Sequence, residues 1–125
     1  MNQTKLFLAE SEYSSIIALI SNKFAFDKMF LQEATTKVEI HMMEGKLYEA
    51  GLLFAKLQKH PTYVTESTAK WLVGYIMEAE MAYKSSIDIF HSLGKRNTKQ
   101  LEVELENALA LHEKLNEFLI DCLED

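Results

Sequence analysis

Glycine and proline, the residues that most often interrupt regular structure, are scarce in this chain of 125 residues, which has four glycines and one proline. Apolar residues recur three and four positions apart over nearly the whole length, and this spacing places side chains on one face of an α-helix. Folds that need many tight turns between short strands are therefore disfavoured. We predict an all-α fold of antiparallel helical hairpins, arranged either as a stack of helical repeats or as an up-and-down bundle.

The length and the balance of residue types predict a single helical domain over residues 1–125. Domains most often contain about 100–150 residues, and 48% apolar with 26% charged residues is the usual balance of a globular protein. The apolar spacing predicts three shorter helices, then one or two helices in a long segment without proline, then a long terminal helix. Their approximate ranges are 11–22, 28–43, 47–59, 62–93 and 97–122.

Residues that favour helix termini mark these boundaries. Ser11 and Asp27 are typical N-caps, and Asn97 precedes Gln100 by three positions, as in a capping box. Glycine commonly ends a helix in the left-handed conformation, and proline forces the residue before it out of the helical region. The helix ends that we expect on these grounds lie at Gly45, Pro61 and Gly94.

The terminal helix has the most regular apolar pattern. A seam steps by four and three residues for three heptads, as in a coiled coil, through Leu101, Leu105, Ala108, His112, Leu115, Leu119 and Cys122. Leu109 and Phe118 lie off this seam and widen the apolar face. They pack either on the chain's own helices or against a second subunit, which would make the protein a homodimer.

Acidic residues are concentrated in this same segment. Residues 101–125 contain eight acidic residues and one lysine, whereas the rest of the chain is nearly neutral. Negative charge repels phosphate backbones, so general binding to nucleic acids is disfavoured. The acidic face is either simply solvated or meets a basic partner.

The segment 44–61 contains a local pattern of its own. It consists of Gly45, Tyr48, Ala50, Phe54 and Pro61. In order and approximate spacing these residues resemble the second helix of the tetratricopeptide repeat. The resemblance covers residues 28–61 and, more weakly, residues 62–94. The resemblance implies antiparallel helix pairs stacked in a curved array, with peptides or partner proteins bound on the concave face.

Few side chains have the spacing of a catalytic or metal site. His41 and Glu44 are three residues apart, but the order is the reverse of the Glu-x-x-His pairs found in di-iron bundles. The pair is most simply a polar surface, and a metal-binding bundle enzyme built on it is the alternative. We find no phosphate loop, nucleophile motif or zinc spacing. We therefore expect no catalytic residue, no metal and no cofactor.

His112 occupies an a position of the terminal seam, where an apolar residue is usual. It is expected to pack there with a hydrogen bond to a neighbouring carboxylate or carbonyl, or to fix helix register or oligomer state. On the sequence alone, His112→Leu is expected to stabilise the fold and to make the fold less specific.

The chain is expected to be cytoplasmic. Cys122 is its only cysteine, so no intramolecular disulfide forms, as is usual in a reducing compartment. Neither a signal peptide nor a run of about 18 apolar residues for a membrane span is present.

These features favour a non-catalytic protein–protein interaction module, such as a small chaperone or adaptor that binds a partner helix or peptide in an apolar groove. The residues we expect to contact the partner are Met42, Trp71, Tyr75, Leu109 and Phe118. The alternative is an acidic inhibitor or immunity-type protein that masks a basic partner.

Overall fold

Four helices form most of the protein, as the all-α prediction requires. A computed structural model describes residues 5–94 and 97–124, and it is 84% helical. The helices are α1 (Glu10–Glu33), α2 (Lys37–Lys59), α3 (Glu66–Ser92) and α4 (Lys99–Leu123). The segment for which we left one helix or two open is therefore a single helix, α3, of 27 residues.

The helices alternate in direction and form an up-and-down bundle. Two side-chain contacts show that α1 and α4 are antiparallel. Glu12, in the first turn of α1, forms an ion pair with Lys114, and the Asn22 amide, near the middle of α1, donates a hydrogen bond to Glu104, which lies ten residues before Lys114. The Tyr75 hydroxyl bonds to the Ile20 carbonyl, and Phe26 packs edge-on against Tyr83, so α1 and α3 run side by side in the same direction. Helix α3 makes its most extensive contact with α4, and α1 with α2.

The contact between Glu12 and Lys114 also affects the protonation of the Glu12 carboxyl. The hydrogen bond from Lys114, followed by that from the Ala9 N–H, lowers the pKa of the Glu12 carboxyl. A carboxylate whose pKa is lowered by folding stabilises the fold at neutral pH. That contribution is lost as the pH falls through the lowered pKa and Glu12 becomes protonated.

A short antiparallel ribbon lies at one end of the bundle. Strand β1 (Lys5–Phe7) pairs with β2 (Tyr63–Thr65), with Leu6 opposite Val64. The helical pattern does not predict this ribbon, because strand pairing across more than fifty residues has no local signal. The ribbon joins the chain before α1 to the connection between α2 and α3. Its Val64 side chain is buried in the core.

Some helix ends follow the prediction and others do not. Helix α2 ends at Lys59, just before Pro61, and α3 ends before Gly94, which has a φ of 77°. At the N-termini, Ala9 rather than Ser11 precedes α1, and Thr98 rather than Asn97 precedes α4. Helix α1 also continues through Asp27, where we expected a new helix to begin, because Asp27 is paired with a buried lysine instead of capping.

Gly45 does not end a helix. The turn predicted there is wrong, since Gly45 lies inside α2 and its φ is not positive. The reversal between α1 and α2 occurs instead at Ala34, Thr35 and Thr36. The Thr36 side chain accepts a hydrogen bond of 3.1 Å from the Glu39 N–H and so caps α2.

Gly45→Ala should therefore stabilise the protein by about 0.5–1 kcal/mol, because alanine loses less backbone entropy than glycine in a helix. A Cβ added at Gly45 meets nothing within 4 Å. Urea unfolding of the two proteins measures the difference. If the variant is destabilised, residue 45 is in a turn with positive φ and α2 is not continuous.

Candidate functional site

The buried core fills only part of the bundle. The buried residues of α1 extend no further than Asp27, those of α2 begin at Ala50, those of α3 stop at Tyr83 and those of α4 begin at Ala108. The remaining helical segments lie at the other end of the bundle, which we call the open end. It consists of residues 28–33, 37–49, 84–92 and 99–107, and no described residue in these segments is buried.

The open end nevertheless contains many large apolar side chains. They are 43% to 71% exposed, and they comprise Met29, Phe30, Val38, Met42, Tyr48, Ile89 and Val103. Exposed apolar side chains concentrated in one part of a protein often mark an interaction site. The open end is therefore our candidate site.

A groove of about 320 Å³ lies in the open end between α1 and α2. Its lining is Phe30, Glu33, Ala34, Glu39, Met42 and Met43. Phe30 and Ala34 continue the stripe on which α1 buries Asp27, at intervals of three and four residues. Met43 and Glu39 continue the buried stripe of α2 in the same way, seven and eleven residues before Ala50. The groove is thus the core-facing side of the α1–α2 hairpin, extended past the point where α3 and α4 cover it.

Of the residues predicted to contact a partner, Met42 lies in this groove and is 55% exposed. Trp71 and Tyr75 lie in a separate depression between α2 and α3. The Lys56 ammonium lies 5.0 Å from the Trp71 ring, and the Tyr75 hydroxyl donates a long hydrogen bond of 3.5 Å to the Ile20 carbonyl. Tyr75 is buried, so only Trp71 presents part of its ring at this position.

The two residues of α4 differ in the same way. Leu109 is 43% exposed and points away from the bundle, whereas Phe118 is 2% exposed and belongs to the core. Phe118 therefore does not present its side chain to a partner in this structure. The a/d seam of α4 also faces its own chain, since Ala108 and Leu115 are buried in the core. A dimer through α4 would have to use outward residues such as Leu109.

A charged cluster is buried where the core meets the open end. The Lys23 ammonium lies 2.7 Å from the Asp27 carboxylate and 3.3 Å from that of Glu78. It also lies 4.6 Å from the centre of the Tyr75 ring. Both members of the closest pair are buried, so each depends on the other for its solvation. The sequence shows Lys23 only as an interruption of an apolar stripe.

A second polar contact joins α3 to α4. The His112 Nδ1 donates to the Glu80 carboxylate at 2.8 Å, and Glu80 is 8% exposed. An ionised carboxylate only accepts hydrogen bonds, so the donor must be the imidazole. The structure thus confirms the prediction that a neighbouring carboxylate binds His112.

Histidine, acidic and tyrosine side chains are the groups on which a metal site or acid–base chemistry would depend. No three histidine, cysteine or acidic side chains among them are arranged to hold a metal ion, and both His41 and Glu44 are exposed on α2. Burial, together with Asp27 and Glu78, raises the pKa of Tyr75. Burial, together with Glu104, also raises the pKa of Tyr83. Both phenols therefore stay protonated at neutral pH, where neither is an effective base or nucleophile.

Sequence reasoning missed Phe30, Glu33 and Glu39 as groove residues. A signal for the hairpin that positions them is present, because Thr36 and Glu39 have the spacing of a capping box. That signal places the reversal before Thr36. Whether a third helix covers the resulting groove is a tertiary property that no local pattern contains.

No helix among the described residues combines the length and the apolar run that a membrane crossing requires. Comparison of the chain with protein-family models, with curated proteins and with solved structures gives no match, so the resemblance to tetratricopeptide repeats over residues 28–94 remains a prediction.

Proposed function

We propose that this protein is a non-catalytic interaction module that binds an amphipathic helix of a partner protein at the open end. One observation carries the proposal: the core-facing stripes of α1 and α2 continue beyond the core with their apolar side chains uncovered. A helix from a partner can occupy the position that a further bundle helix would fill. Apolar side chains then supply most of the affinity, as in other helix-in-groove complexes.

The lining of the groove suits a helical ligand. Met42 and Met43 form one wall, and methionine side chains adapt to ligands of different shape because they are flexible and polarisable. Phe30 forms the other wall and provides a rigid aromatic surface. A small chaperone or adaptor that shields an exposed helix of its client uses a surface of this kind. A reducing cytoplasm is the compartment we propose, on the basis of the single Cys122.

Affinity capture with matched variants tests the proposal. Phe30→Gln combined with Met42→Gln should reduce the amount of captured partner at least tenfold, because each removes an apolar contact worth about 1–2 kcal/mol. Met77→Gln is the control, since Met77 is an exposed methionine of α3 outside the open end. Quantitative mass spectrometry of the material captured from cells that contain the protein is the measurement.

Equal capture by all three proteins would contradict the proposal, as would a loss confined to Met77→Gln. Circular dichroism must show that each variant keeps its helices. Because the substituted side chains are exposed and glutamine is a good helix former, we expect little change in stability.

The outer face of α4 favours a second candidate function. Glu102, Glu106, Glu113, Glu117 and Glu124 follow one another at helical spacing and are all exposed. No lysine or arginine lies between them on this face, and Leu109 and Ile120 are its exposed apolar residues. An inhibitor or immunity-type protein could mask a basic partner with such a face. Binding that survives the open-end substitutions but is lost with Glu113→Gln and Glu117→Gln would favour this function.

A further inference from the structure

The groove at the open end is lined by both apolar and acidic side chains. Its apolar lining is Phe30, Ala34, Met42 and Met43, and its acidic lining is Glu33 on α1 and Glu39 on α2. We infer that the partner helix is basic, with lysine or arginine side chains flanking the apolar residue that enters the groove. This inference rests on the proposed function and specifies the chemistry of its ligand.

The C-terminal turn of α1 concentrates negative charge. The last turn of a helix carries partial negative charge and leaves its final carbonyl groups without intrahelical partners. Glu33 adds a full negative charge there, and the last turn of α1 contains no basic residue. Of these carbonyl groups, that of Leu31 accepts a bond from the Ala34 N–H. A cation from the partner would relieve the repulsion and also donate hydrogen bonds to the remaining carbonyl oxygens.

Two lysines of the open end are occupied elsewhere, and Lys37, at the start of α2, forms no ion pair with a described residue. The Lys46 ammonium lies 3.9 Å from Glu78, and the Lys28 ammonium lies over the Phe24 ring. Within the described part of the chain, neither Glu33 nor Glu39 has an ion pair. The Glu39 side chain lies in the first turn of α2, where the helix dipole favours it, so most of the uncompensated charge is at Glu33.

Two synthetic peptides test the inference. Both are amphipathic helices of about 20 residues with the same leucine stripe, and they carry either lysine or glutamate on the flanking positions. Fluorescence anisotropy measures their affinities for the full chain at low salt. The lysine peptide should bind about tenfold more tightly, as expected for two surface ion pairs and a helix terminus acting together.

Charge-matched variants separate the groove from the net charge of the protein, which is −6. Glu33→Gln with Glu39→Gln should abolish the preference for the lysine peptide and leave binding of the glutamate peptide no weaker. Glu44→Gln with Glu49→Gln changes the net charge equally, on exposed positions of α2 that do not line the groove. This control should keep most of the preference.

Three results overturn the inference. The first is equal binding of both peptides, which leaves the groove function intact and removes only its basic ligand. The second is a preference that survives Glu33→Gln with Glu39→Gln. The third is binding of neither peptide, which removes the groove function as well. In addition, Glu33→Gln alone should raise the melting temperature by about 1–3 °C, and a lower value would show that Glu33 already has a cationic partner.

Discussion

Replacing Lys23 by methionine should lower the free energy of unfolding by about 3–5 kcal/mol, which is the usual cost of removing one partner from a buried ion pair. Asp27 is 6% exposed and lies 2.7 Å from the lysine ammonium. Without that ammonium, the Asp27 carboxylate remains in a poorly solvated position with no cation beside it. Methionine keeps the length and apolar contacts of the lysine side chain, so the loss reports on charge rather than on a cavity.

Urea unfolding followed by circular dichroism measures this effect. Lys46→Met is the matched control, because Lys46 pairs with the same Glu78 at 3.9 Å but is itself substantially exposed. Exposed ion pairs contribute little, so the control should lose less than about 1 kcal/mol. Combining Lys23→Met with Asp27→Leu should recover most of the loss, since an apolar pair of similar volume can replace a buried ion pair. A Lys23→Met protein as stable as the control would show that the pair is not buried.

His112→Leu should destabilise the protein by about 1–3 kcal/mol, because it leaves the Glu80 carboxylate buried without its hydrogen-bond donor. This reverses the expectation from the sequence, which treated His112 as a polar interruption of an apolar seam. Whether the substitution stabilises or destabilises the protein depends on the Glu80 carboxylate, which lies 32 residues away on α3. Seam spacing alone cannot identify it.

Thermal and urea unfolding measure the loss, with His41→Leu as the control at an exposed position of α2. The control should change stability by no more than about 0.5 kcal/mol. Adding Glu80→Leu to His112→Leu should restore much of the stability, since replacing both partners by apolar groups is nearly neutral. Stabilisation by His112→Leu alone would support the original reading of the seam.

The helical class and several helix ends were predictable because their signals are local. Pro61 and Gly94 act through the conformations of their own backbone, so their effects depend little on the rest of the fold. The same local reasoning was wrong at Gly45, where α2 continues through the glycine without a positive φ. The Thr36 cap, three residues before Glu39, was the better local signal for the reversal.

The candidate site was predictable only in part. Met42 lies in the groove, but Phe118 is in the core and Tyr75 is buried beneath Lys23. Apolar spacing identifies the inward face of a helix and does not show where along the helix that face stops being covered. The coverage depends on how far α3 and α4 pack against α1 and α2, which is set by contacts distant in sequence.

Photo-crosslinking from the groove tests the central claim most directly. A benzophenone amino acid placed at Met42 in the full chain, inside cells that contain the partner, should give a discrete protein adduct on irradiation. The same amino acid at Met77, an exposed methionine of α3 outside the open end, should give none. An adduct from Met77 alone, or none from Met42, would contradict the account of the open end as the surface that binds a partner helix.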